Sequence, residues 1–242
     1  MKRTIIITGG ARGIGASIAK HLTKSDFNVH VVYNRSALEF KKLRDELSAL
    51  GIQISDTLGD IRMPDDCKKI IDDCIAQHGQ LWGLILNAGI FIPDDPVSIS
   101  IDDWKSLIDT NLSSAVYLLK WALPPIRESN GSIVFIGTGS IVDSTPAPDY
   151  PLYAASKAGL YVLMRSLAVS EGKFGVRVNM VSPGMIDAGN YSEKLIAECE
   201  AGIPLGRMGN PRDIASAVGF LLSDEASYIS GANIDISGSW IR

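Results

Sequence analysis

Tyr153 and Lys157 stand four residues apart in Tyr153-Ala154-Ala155-Ser156-Lys157, a spacing that puts a phenol and an ammonium on one face of a helix. A free phenol, with a pKa of about 10, gives up its proton poorly at neutral pH. A positive charge beside the ring favours the phenolate, and a shift of about three units corresponds to roughly 4 kcal/mol of differential stabilisation. The pair reads as an acid/base device. The same spacing also describes a packed ring beside a solvated amine, so the surrounding elements decide between the two.

The first of those elements is a glycine loop. Thr8-Gly9-Gly10-Ala11-Arg12-Gly13-Ile14-Gly15 follows the apolar run Arg3–Ile7 and opens a helical pattern. Glycines there allow a tight turn and close backbone approach to a pyrophosphate, while the helix N-terminus offers amide donors and a favourable dipole. About 20 residues on, the second strand ends in Val32-Tyr33-Asn34-Arg35-Ser36 with no carboxylate at its tip, where an acid would accept from a ribose 2′-hydroxyl. Arg12, Arg35 and the Ser36 hydroxyl suit a 2′-phosphate instead, which indicates NADP(H) over NAD(H).

Short apolar runs alternate with amphipathic segments along almost the whole chain. Strands are expected at Arg3–Ile7, Asn28–Tyr33, Ile52–Leu58, Leu81–Leu86, Ser132–Ile136, Arg177–Val181 and Asn233–Ile236. Helices are expected at Gly13–Lys24, Ala37–Leu50, Pro64–Gln77, Ile101–Arg127, Tyr153–Phe174 and Pro211–Leu222. Strands apolar on both faces imply a parallel sheet covered on both sides, hence one α/β domain over residues 1–242, doubly wound and seven-stranded. The irregular segments Asn87–Ser98, Gly137–Leu152 and Pro183–Ile203 each follow a strand and belong at its carboxyl edge, where open α/β folds bind ligands. Bulk properties narrow the class further. A net charge of −4 over 242 residues argues against nucleic acid as the main partner. Cys67, Cys74 and Cys199 form no metal-ligand pattern and suit a reducing cytoplasm. No run approaches a membrane span.

With these motifs in order, the chain resembles the short-chain dehydrogenase/reductase family over nearly its full length. The resemblance rests on the glycine loop, Asn87-Ala88-Gly89, Thr110-Asn111-Leu112, Tyr153 with Lys157, and Pro183-Gly184. The segments Ile203–Gly209 and Ser223–Gly231 look like those of the 3-oxoacyl-carrier-protein reductase branch. The resemblance implies a Rossmann fold and NADPH-dependent reduction of a 3-oxoacyl thioester or related ketone. It makes Tyr153 the acid and, with Lys157, part of the cofactor site, has Lys157 lower the phenol's pKa and bind the nicotinamide ribose, and gives Asn111 a water that resupplies the proton. Gly9, Ala11, Arg12, Gly13, Ile14 and Gly15 would cradle the cofactor phosphates, with Asn34, Arg35 and Ser36 at the ribose. Asp60 and Ile61 would meet the adenine, and Asn87, Ala88 and Gly89 would line the cleft beside Pro183, Gly184 and Ile186. No metal is implied, and the assembly expected is a homotetramer or dimer, with Leu160, Val162, Leu163 and Leu167 in either the interface or the core.

Two positions depart from the pattern. A hydroxyl is needed to orient the substrate carbonyl; counting back from Tyr153 gives Ser140, the first choice, and counting forward from Gly131-Ser132-Ile133 gives Thr138. Where a Thr commonly follows Pro183-Gly184, this chain has Ala188. Two other functions fit the same residues: an NAD(P)-linked alcohol or sugar dehydrogenase working oxidatively, and a non-catalytic NADP-binding sensor or scaffold. An acyl-carrier partner would require a basic surface, to which Arg127 and Arg165 could contribute.

Overall fold

β-Branched and aliphatic runs too short for helices build the interior of one parallel sheet. A computed structural model describes residues 2–92, 96–139, 147, 149–189 and 191–240. Its strands are β1 (Arg3–Thr8), β2 (Phe27–Tyr33), β3 (Ser55–Leu58), β4 (Gly83–Leu86), β5 (Ser132–Ile136), β6 (Arg177–Pro183) and β7 (Asn233–Ile236). They lie in the order β3-β2-β1-β4-β5-β6-β7, all pairs parallel. The central strands β4 and β5 are buried along their whole length, as strands covered on both faces must be.

Two apolar layers cover the sheet. On one face Ile18 and Leu22 of α1 (Gly13–Leu22), Phe40 and Leu43 of α2 (Ala37–Ser48) and Ile214 and Leu221 of α8 (Pro211–Leu222) pack on Ile5, Ile7 and Val134. On the other, α3 (Pro64–His78), α5 (Ser114–Glu128) and α6 (Pro151–Glu171) pack on Ile6, Leu84 and Phe135. This is the doubly wound Rossmann arrangement. The strand order reverses between β1 and β4, so the loops leaving those strands diverge and open a crevice at their carboxyl ends.

Three expectations are corrected. β3 starts at Ser55, not Ile52, and β4 at Gly83, not Leu81. The single helix expected over Ile101–Arg127 is two, α4 (Ile101–Ile108) and α5, joined by a π-helical turn at Asp109–Ser113. Hydrophobic periodicity does not register such a turn, since one extra residue per turn leaves the apolar stripe largely intact. A further helix, α7 (Glu193–Glu200), lies in the segment after β6 and is capped by Ser192, whose hydroxyl accepts from the Leu195 amide. Among the described residues, no helix is long and apolar enough to cross a membrane.

Candidate active site

The glycine loop is shaped by left-handed backbone and by close contact with β4. Gly9 and Gly13 have φ of +62° and +54°, values that side chains disfavour. A Cβ on Gly9 would sit 3.0 Å from Ala88 Cα, and one on Gly15 would sit 2.2 Å from the Gly9 carbonyl oxygen. Thr8 ties the loop down: its hydroxyl donates to the Ile85 carbonyl (3.2 Å) and accepts from the amides of Asn87 (3.0 Å) and Ala88 (3.1 Å). Asn87 answers with its amide group, donating to the carbonyls of Thr8 (2.8 Å) and Gly9 (3.1 Å). No side chain caps the α1 N-terminus, so its first-turn donors face outward, as an anion site requires.

A cleft of about 630 Å³ opens above this loop. It brings together Gly9, Ala11, Arg12, Gly13, Ile14 and Gly15 with Asn34, Arg35 and Ser36. Asp60, Ile61, Asn87, Ala88, Gly89 and Ile186 also line its walls, whereas Tyr153, Lys157, Pro183 and Gly184 do not. A Cβ on Gly13 would meet only the Ala188 Cβ, at 3.9 Å, so that side of the loop is open to a ligand. The space and the donors fit a dinucleotide. Arg12 and Arg35 are exposed in it. A third guanidinium, Arg62, was not anticipated: its Nε reaches the two Asp60 carboxylate oxygens at 3.0 and 3.1 Å, and its Nη2 reaches one at 2.5 Å. These bonds hold the Asp60 carboxyl below its usual pKa range. They also occupy oxygens that an adenine amine would use.

Pro183 and Gly184 take a different place. Pro183 ends β6, and the Gly184 amide donates to the Ile236 carbonyl at 3.0 Å. A Cβ on Gly184 would stand 2.7 Å from Ser237 Cα, so this glycine serves the contact with the chain after β7. Neither residue lines the cleft among the described residues.

The acid/base pair lies on the first turns of α6, which Pro151 starts at its N1 position. Lys157 is 4% exposed, and its Nζ donates to the Ile136 carbonyl at 2.9 Å. Burial pushes the ammonium down to about 8. Asn111 sits in the π-helical turn, 3% exposed, where its Oδ1 accepts from the Ile90 amide (2.8 Å). Its Nδ2 donates to the Ile90 carbonyl (2.9 Å) and to the Ser156 hydroxyl (3.1 Å). Ser156 in turn donates to the Tyr153 carbonyl at 2.7 Å. Gly89 joins this group to the cleft, because a Cβ there would stand 3.3 Å from Asn111 Oδ1 and 3.4 Å from Lys157 Nζ.

One expectation about the pair is corrected. Burial pushes the Tyr153 phenol up to about 12, a hydrogen bond with the Thr138 side chain works the other way, and nearby Tyr150 adds to the rise. Lys157 does not offset that burial: its Nζ is 5.9 Å from the ring centroid and donates to the Ile136 carbonyl. The residue as a whole is only half-buried, but its hydroxyl end is the enclosed part. Ser140, the first choice for the orienting hydroxyl, lies outside the described residues, whereas Thr138 is bonded to the phenol. Neither basic residue considered for a carrier partner is unengaged. Arg127 pairs with Glu171 at 2.7 Å, and Arg165 donates to the Gly231 carbonyl.

Comparison with known proteins places this geometry. The profile of the family described as enoyl-(acyl carrier protein) reductase matches residues 9–239. A 3-oxoacyl-[acyl-carrier-protein] reductase of Staphylococcus aureus is 34% identical over 244 residues, covering 98% of each chain. That of Chlamydia muridarum is 33% identical over 242 residues, covering 98% of this chain and 97% of the relative. Among solved structures, a blue fluorescent protein from a metagenomic library, in complex with NADPH, superposes with a TM-score of 0.90 at 28% identity, over 99% of this chain and 98% of the other.

Proposed function

The chain belongs to the short-chain dehydrogenase/reductase family and is an NAD(P)-dependent oxidoreductase; from this we propose that it uses NADPH to reduce the carbonyl of a 3-oxoacyl thioester or related ketone to a hydroxyl. The observation that carries the reading is the buried Lys157–Asn111–Ser156 group, set against Gly89 at the wall of the cofactor cleft and tied through Ser156 to the Tyr153 backbone carbonyl. Pure nucleotide binding has no use for a buried acid/base set. The cofactor, when bound, supplies the hydride.

Each residue then has a proton or a position to manage. A phenol raised to about 12 is fully protonated at neutral pH and holds its proton for the oxygen on which negative charge develops. Thr138, bonded to the phenol, places a second hydroxyl where the carbonyl oxygen must approach. Lys157, pushed down to about 8, can give up and regain a proton near neutral pH, and Asn111 fixes the Ile90 loop beside it. Arg12 and Arg35 support NADPH over NADH. Exposed Val116, Val162 and Val169 on α5 and α6 support self-association as a homotetramer or dimer, with Leu160 buried inside the subunit.

A turnover screen with NADPH and NADH against 3-oxoacyl thioesters, simple ketones and sugars tests this reading. Reduction of a thioester or ketone, at least about tenfold better with NADPH, is expected. Equal or better activity with NADH contradicts the role given to Arg12 and Arg35, and no turnover at all contradicts the reaction.

A further inference from the structure

Phe91 is held where a phenyl ring has no structural need to be. The preceding residue, Ile90, is fixed through both its amide and its carbonyl by Asn111, yet Phe91 itself is 55% exposed. Its ring meets Tyr153 edge-to-face, with centroids 5.1 Å apart at 78°, and meets Tyr150 in the same way at 5.8 Å and 69°. Tyr150 and Tyr153, separated by the start of α6, complete the triangle at 6.1 Å and 72°. Three mutually edge-to-face rings, one of them the proton donor, form a wall that presents ring surface beside the reacting hydroxyl. An exposed phenyl fixed at a site marks an apolar contact for a ligand.

Charge is distributed the other way. The guanidiniums that line the cleft, Arg12, Arg35 and Arg62, follow β1, β2 and β3. Phe91 and the start of α6 follow β4 and β5, on the opposite side of the crevice. Lys157 is turned to the Ile136 carbonyl, and Arg127 and Arg165 are engaged within the subunit. Among the described residues, a substituent beside the reacting carbonyl therefore meets ring surface on this side, which a flat aryl group covers better than a flexible linear chain.

Resting on the carbonyl-reductase reading above, the geometry points to Phe91 and Tyr150 as specificity-determining residues that select neutral, ring-bearing ketones over carrier-linked linear 3-oxoacyl chains. The flat substituent of an aryl ketone stacks against this wall while its carbonyl oxygen receives the Tyr153 proton. The exposure of Phe91 makes its truncation harmless to the fold.

Steady-state kinetics with NADPH on an aryl ketone (acetophenone) and a linear thioester (acetoacetyl-coenzyme A) decide the matter. Wild-type enzyme is expected to favour the aryl ketone in kcat/KM, and Phe91→Ala to lower the aryl-to-linear ratio at least about tenfold, mainly through KM. Phe91→Tyr, which keeps the ring, should restore the ratio. An unchanged ratio in Phe91→Ala, or wild-type preference for the linear thioester, overturns the proposal. Turnover of neither substrate by the wild type overturns the carbonyl-reductase reading, and the proposal with it.

Discussion

Among the described residues, two buried polar networks, one around His30 and one around Lys157, differ in their relation to the cleft. Beneath the β2–β3 edge, His30 is fully buried with Nδ1 bonded to the Ser55 hydroxyl (2.8 Å) and Nε2 to that of Thr57 (3.0 Å). Ser55 continues to His78 Nε2 (2.7 Å), and Thr57 donates to Asp73 (2.9 Å), which Lys69 pairs at 2.5 Å. That network closes on itself. Both ring nitrogens of His30 are used, and the chain of bonds ends in a surface ion pair. Around Lys157 the accounting is different: an ammonium has three donors, and the Ile136 carbonyl takes one. The remainder lies 3.4 Å from a point on Gly89 at the cleft wall. Burial and shifted pKa values occur in both networks; of the two, the one around Lys157 abuts the cleft wall at Gly89. That is the mark of chemistry here.

Replacing Lys157 should break this contrast most sharply. Lys157→Met is expected to lower turnover at least about 100-fold while raising the melting temperature. The sign follows from linkage: the folded-state value of about 8 lies below the ordinary 10.5, so at neutral pH the buried ammonium costs stability that a thioether of similar shape does not. About 3 kcal/mol is recovered in principle, less the loss of a donor to Ile136, for a net rise of a few degrees. Calorimetry and a turnover assay on the same preparation check it, and a lower melting temperature contradicts the account.

The His30 network should show the same sign of linkage in a lower pH window, without a matching effect on turnover. Its value of about 4 lies below the ordinary 6.5, chiefly through burial and then through His78. The folded protein thus binds fewer protons than the unfolded chain between those values, and stability falls as pH drops through that window, by about 3 kcal/mol. His30→Gln should flatten this dependence in denaturant titrations at pH 5 and 7. Turnover at pH 7 should stay within about twofold, since none of these side chains lines the cleft; a larger loss would couple the two networks.

The parallel sheet and the glycine loop were legible in the sequence because they rest on local rules: both-face apolar runs, and glycine where φ is positive. The missing pieces are non-local. Nothing in the spacing of Asp60 and Arg62 announces that one saturates the other, and nothing around Thr8 says that its hydroxyl will bridge β1 to the Asn87 loop. The π-helical turn that aims Asn111 at Ile90 is invisible to periodicity. Two sequence rulers point to different hydroxyls, Ser140 and Thr138, because the segment between β5 and α6 carries no internal landmark; Thr138 is bonded to Tyr153, and Ser140 lies outside the described residues. The Tyr153 pKa shows the same limit, since helical spacing placed an ammonium on its face but could not show that burial would outweigh it.

The central claim is that Tyr153 donates the proton and does not hold the cofactor cleft together. Tyr153→Phe keeps the ring and its edge contacts and removes one hydroxyl. Titration of NADPH by its fluorescence should then give a Kd within about threefold of wild type, while kcat on a ketone substrate falls by about 1,000-fold. Retention of more than a tenth of wild-type turnover would contradict the assignment of Tyr153 as the acid. Loss of NADPH binding in step with turnover would contradict it equally, by making the phenol part of the cofactor site.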